Sequence, residues 1–164
     1  MKAWKEIGEW VKAAAVKREL SGCRFGFLGN TYNGMLDMYS DFTMIQAQTG
    51  AHIEILEMCD LDRMLQQVTE AEILAKKQEI LDFFVISEEK AADPLAQRPT
   101  KEQLDWSARV AAAQERLVRE YGLDALTYYY HGSPGGAYEK LQSGFIVGHS
   151  LPVSYTHLRA HETK

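Results

Sequence analysis

Cysteine is scarce in this chain: two residues in 164, Cys23 and Cys59, without a CxxC pair or the spacing of a zinc site. That excludes a disulfide scaffold, and both read as reduced thiols buried at strand ends. Basic charge is also in deficit, with 18 Lys and Arg against 23 Asp and Glu, a formal charge of −5 and no local cluster of cations. Nucleic acid and anionic membrane surfaces require such an excess, so neither partner is expected. No apolar run reaches the ~18 residues of a membrane span. The opening Met1-Lys2-Ala3-Trp4-Lys5-Glu6 leads into an amphipathic helix rather than a signal peptide, which makes the cytoplasm the expected compartment. Proline is limited to four residues, two of which, Pro94 and Pro99, fall in a polar stretch from Glu88 to Thr100 that reads as a surface loop.

What is present is a globular composition, 46% hydrophobic and 25% charged, on a chain of ordinary single-domain size. Residues Met1 to Ser21 place Trp4, Ile7, Trp10, Val11, Ala14 and Ala15 three or four apart, one face of a helix that Gly22 would stop. Arg24 to Leu28 is a short apolar run emerging into Gly29-Asn30, the pattern of a buried strand. A helix is predicted from Leu36 to Gln48, a second strand from His52 to Met58, and two helical segments from Asp60 to Glu89. Thr100 to Tyr121 reads as another helix with Glu102 in its first turn. Ala125 to Tyr130 is a third strand, followed by the glycine-rich turn His131 to Gly136 and a last helix from Ala137 to Val147. Strands alternating with helices of this length imply right-handed crossovers and a flavodoxin- or Rossmann-like parallel sheet with helices on both faces. Ligands of such sheets gather beyond the carboxyl ends of the strands, so function is sought in the loops starting at Gly29, Met58 and Tyr130.

The motifs there are incomplete. Gly29-Asn30-Thr31-Tyr32-Asn33-Gly34 has the glycine spacing of a phosphate loop, yet Met35-Leu36 stand where Lys and Ser or Thr would meet the phosphates and Mg²⁺. Gly26, Gly29 and Gly34 do not make the dinucleotide fingerprint either. Asp37, Asp41, Asp60 and Asp62 form an acidic set near two strand ends. Asp60 and Asp62 read as helix-start residues, where negative charge meets the positive end of the dipole, ahead of metal ligands. Tyr128-Tyr129-Tyr130-His131 offers aromatic walls that suit a sugar, with at least one of the three rings expected to be plain packing. Trp4, Trp10 and Trp106 fall on helix faces and read as packing residues. His157 and His161 stand four apart beside Glu162, which on a helix would resemble a metal pair.

The run Phe27-Leu28-Gly29-Asn30-Thr31-Tyr32-Asn33-Gly34-Met35-Leu36-Asp37-Met38-Tyr39-Ser40-Asp41-Phe42-Thr43, followed by His52 to Leu61 and by Leu123 to Gly132, resembles the L-arabinose isomerase family, in its bacterial arabinose-isomerase-like branch. The likeness extends roughly from Lys17 to Leu151. It implies an aldose-ketose isomerase interconverting L-arabinose and L-ribulose, or a close analogue, in an enzyme that is a homo-oligomer. A divalent metal, usually Mn²⁺, would polarise the sugar oxygens during hydrogen transfer. The family's ligands are two glutamates and two histidines from the middle and C-terminal parts of its chain, and the first of those glutamates falls just beyond Leu151. No catalytic or metal-binding residue is therefore expected in this chain. Tyr32, Met35 and Tyr130 are the positions that the family's sugar pocket would touch, with turn and domain-interface packing as the competing role.

The same resemblance implies three parts. Residues 1–22 would be a helix linking a missing N-terminal domain, and 23–152 a central α/β domain incomplete at its C-terminal end. Residues 153–164 would be a non-native, disordered tail: Val153-Ser-Tyr-Thr-His-Leu-Arg-Ala-His-Glu-Thr looks like one translated frame of a transposase sequencing adapter, making His157 and His161 accidental. Trp4, Trp10, Phe83 and Phe84 are expected to be exposed in such a fragment. The alternative reading is a self-contained flavodoxin-like module that binds a sugar or small anion without catalysis.

Overall fold

The computed structural model describes residues 2–32, 34, 36, 39–86, 98–129 and 134–151. Its elements are helix α1 (Lys2–Gly22), strand β1 (Arg24–Gly29), α2 (Phe42–Thr49), β2 (His52–Leu56), α3 (Met58–Gln67), α4 (Glu70–Phe83), α5 (Lys101–Glu120), β3 (Ala125–Tyr129) and α6 (Glu139–Ser143), with a further helical run at 145–151. The expected α/β class is what the structure shows. Among the described residues helices alternate with the strands of a three-stranded sheet whose pairings are parallel.

The chain divides into two compact units, Met1–Glu57 with Val118–Tyr130, and Met58–Leu117 with His131–Lys164. The first holds the sheet, in the order β2-β1-β3. Arg24 pairs with His52 and Leu28 with Leu56 on one side, while Phe25 pairs with Ala125 and Gly29 with Tyr129 on the other. At the amino edge the Arg24 N–H donates to the Asp124 carboxylate and the Asp124 N–H to the Arg24 carbonyl, both at 2.8 Å, which pins the start of β3 against β1. Gly26 is required within β1, because a Cβ there would stand 2.5 Å from Leu123 Cδ1. Helix α2 meets the sheet face that carries Phe27, whose ring lies 4.9 Å from that of Phe42.

Several boundaries differ from the sequence expectation: α4 ends at Phe83 rather than at Glu89, and the last helix, expected over Ala137 to Val147, is divided into α6 and the run 145–151. Helix α2 begins at Phe42, six residues after Leu36, because Asp41 holds extended backbone and its carboxylate caps the helix by accepting the Met44 N–H at 2.9 Å. Met58, assigned above to the second strand, opens α3 instead. Helix α2 ends as expected at Gly50, in the left-handed conformation at φ 79°. Helix α1 also forms where expected, yet no residue in it is buried: Trp4 is 78% and Trp10 77% exposed.

Among its described residues the second unit is helical. A capping box ends the α3–α4 turn: the Thr69 hydroxyl accepts the Glu72 N–H and the Glu72 carboxylate accepts the Thr69 N–H. Arg116 of α5 then grips the same carboxylate with two N–H donors, each at 2.9 Å. The core draws on Leu61, Met64, Ile80, Val110, Leu117, Phe145 and Leu151, all almost fully buried. Helical run 145–151 approaches α5 closely at Gly148, where a Cβ would fall 2.1 Å from Gln114 Oε1 and 2.8 Å from Ala111 Cα. Gln114 is 1% exposed and neither polar atom of its amide has a hydrogen-bond partner. Trp106 Nε1 donates to the Lys140 carbonyl at 2.7 Å, and the Lys140 ammonium stands 4.6 Å from the ring centre. Phe83 is exposed at 55%, as expected, whereas Phe84 is half-buried.

The cysteines depart from the expectation. Cys23 is half-buried before β1, and Cys59 is exposed on α3 rather than buried at a strand end. The early helical start at Met58 carries Cys59 off the strand. No helix among the described residues is long and apolar enough to cross a membrane.

Candidate functional site

The strand order locates the site. From β1 the chain moves to β2 on one side, and the next strand, β3, lies on the opposite side of β1, so the direction of winding reverses between β1 and β3. In open parallel sheets the crevice beyond the carboxyl ends at such a reversal is where ligands bind. The carboxyl ends of β1 and β3 are Gly29 and Tyr129.

The loop leaving β1 is firmly built. Gly29 turns the chain at φ 90°, a conformation that a side chain would strain. The Asn30 N–H then donates to the Tyr129 carbonyl at 2.9 Å, and Asn30 Oδ1 accepts the Thr31 N–H at 2.8 Å. Tyr32, 44% exposed, lays its ring 5.0 Å from that of half-buried Tyr129, tilted by 59°. Tyr129 pairs in register with Gly29, on the sheet face that also carries Phe25 and Phe27. The exposed Tyr32 ring, beside polar backbone and an exposed Asn amide, is a surface able to pack against the apolar face of a small polar ligand and hydrogen-bond its edge.

Of the three predicted pocket residues, Tyr32 stands beyond the carboxyl ends of β1 and β3, against Tyr129. Met35 and Tyr130 lie outside the described residues, as do Asp37, Tyr130's neighbours His131 to Ser133, and the histidines of the tail. Sequence reasoning missed Asn30 and Tyr129 as a unit. Asn30 was discoverable as the first polar residue after the strand-ending glycine, but the choice of Tyr129 depends on strand register.

The acidic set does not gather. Asp41 caps α2, and its carboxyl is held below the ordinary range by the Thr43 hydroxyl at 2.6 Å and the Met44 N–H. Asp60 sits in the first turn of α3, as expected of a helix-start residue, and Asp62 accepts from Gln66 at 3.4 Å. Among the described residues no group of three His, Cys, Asp or Glu side chains converges into a metal site, so these residues do not by themselves fit Mn²⁺.

No protein-family model matches the chain. An L-arabinose isomerase from Aeromonas salmonicida (strain A449) is similar to it, 25% identical over 153 residues, a match that covers 89% of this chain and 30% of that protein. The chain thus spans about a third of the length of the curated relative it matches, and its similarity is to a sugar isomerase.

Proposed function

We infer that this chain is part of a metal-dependent aldose-ketose isomerase acting on L-arabinose or a close analogue, and that it contributes scaffold and one wall of the sugar pocket. The observation that carries the reading is the likeness to an L-arabinose isomerase over 89% of the chain. The β1–β3 reversal supports it by setting an aromatic and amide surface where a parallel sheet receives small ligands. Bound Mn²⁺ would supply polarisation of the sugar's carbonyl and hydroxyl oxygens. Its ligands belong to other parts of the parent enzyme, a cytoplasmic homo-oligomer in this reading.

The division of labour has a direct test. The purified 164-residue chain is expected to bind L-arabinose weakly and to form no ketose from it, with or without Mn²⁺. Measurable L-ribulose from this chain would overturn the assignment of the chemistry to other parts of the parent. The full-length parent, assayed against a panel of aldopentoses and aldohexoses, is expected to prefer L-arabinose; no turnover of any aldose would leave the non-catalytic sugar- or anion-binding module as the surviving reading.

A further inference from the structure

Tyr32 alone is a poor wall. It stands on a loop, is nearly half exposed, and has a side chain with two rotatable bonds. What fixes it lies on another strand. Tyr129 meets its ring at 5.0 Å, and the backbone of the same Tyr129 accepts the Asn30 N–H, so one residue anchors both the root of the loop and the ring two positions further on. Gly29, paired with Tyr129 across the ladder, has no side chain to stand between them. The 59° tilt is the angled geometry that aromatic quadrupoles favour over face-to-face stacking. The next rotation of the sequence, Tyr128, cannot substitute, because its side chain leaves the opposite face of the sheet.

We propose that Tyr129 is the positioning residue for Tyr32, holding that ring at the β1–β3 crevice in the orientation that a bound sugar meets. The proposal rests on the pocket reading above and adds to it a residue that acts through another. Removing the Tyr129 ring frees Tyr32 to sample rotamers that close or vacate the crevice, so affinity falls by the share of time the ring is misplaced.

The test uses the 164-residue chain and L-arabinose as the probe, followed by nuclear magnetic resonance. In the free chain, ring protons of Tyr32 and Tyr129 should show mutual nuclear Overhauser effects; their absence would overturn the proposal without any reference to sugar. Tyr129→Leu should weaken binding roughly two- to tenfold, the range expected of an aromatic pair, while Tyr129→Phe keeps the ring and restores it. The double variant Tyr32→Leu/Tyr129→Leu should bind no more weakly than Tyr32→Leu alone, since Tyr129 acts only through Tyr32. Additive losses, or a Tyr129→Phe variant as weak as Tyr129→Leu, would refute positioning. If Tyr32→Leu leaves affinity unchanged while the unsubstituted chain shows the Tyr32–Tyr129 ring contacts, the pocket reading fails and the positioning of Tyr32 by Tyr129 stands.

Discussion

The sheet-bearing unit and the helical unit hold their shapes by different means. In the first, few side chains are fully buried, among them Leu28, Ala51 and Leu56, and α1 adds none; order comes from the parallel ladder, the Arg24–Asp124 clasp and ring contacts. In the second, α3, α4, α5 and the run 145–151 contribute a larger buried set, closed by ion pairs between helices. Lys76 shows how those pairs survive there: burial works against its charge, and the Glu115 and Glu79 carboxylates at 2.8 and 2.6 Å outweigh it and raise its pKa. A unit built on hydrogen-bonded backbone commits fewer side chains to a core. A unit built on packing commits more of them.

The largest effect that would sharpen this contrast is Phe145→Ala. Phe145 is fully buried, and its truncation should cost about 3–5 kcal/mol, read as a shifted urea midpoint. A loss below about 1 kcal/mol would show that the helical unit is not held by its core. Gly148→Ala should cost about 1–3 kcal/mol by overpacking. The Gln114 amide can swing aside from a new Cβ, but the Ala111 Cα at 2.8 Å belongs to backbone and cannot. Gln114→Met should act in the opposite sense, by about 1 kcal/mol, since it replaces an unpartnered buried amide with an apolar chain of similar shape.

Next in size is a dependence on pH in the helical unit. The Arg116 guanidinium, then the Thr69 hydroxyl and N–H, hold the Glu72 carboxyl at about 2 against an ordinary 4.5. A carboxyl with a depressed folded-state pKa stabilises above its unfolded value and loses that contribution as pH falls from about 4.5 toward 2. Acid titration of Glu72→Gln, followed by circular dichroism, should flatten this part of the profile; a curve matching the unsubstituted chain would break the assignment. The smallest effect belongs to α1. Trp10→Ala, at a site 77% exposed, should change stability by no more than about 0.5 kcal/mol, and a larger loss would mean that α1 supports the sheet unit more than its exposure indicates.

The same contrast explains which features are legible in the sequence itself. Runs such as Arg24 to Leu28 and the spaced Leu61, Met64 and Leu65 are periodic because burial demands it, so strands and helices were legible. The start of α2 was not, since it turns on one side-chain hydrogen bond from Asp41 rather than on periodicity. Met58 continued an apolar run and looked like strand until the helix claimed it. At the candidate site, Tyr32 was visible as an aromatic residue after a strand-ending glycine. Its pairing with Tyr129 was not, because residues 97 positions apart are brought together only by register.

The hydrogen bond from the Asn30 N–H to the Tyr129 carbonyl carries a consequence for exchange with solvent. Asn30 lies beyond the end of β1, where amides ordinarily trade their protons as fast as the loop moves. Bonded to β3, its proton should exchange more slowly than those of the loop beyond it, so the first residue of the loop shares the protection of the sheet's end.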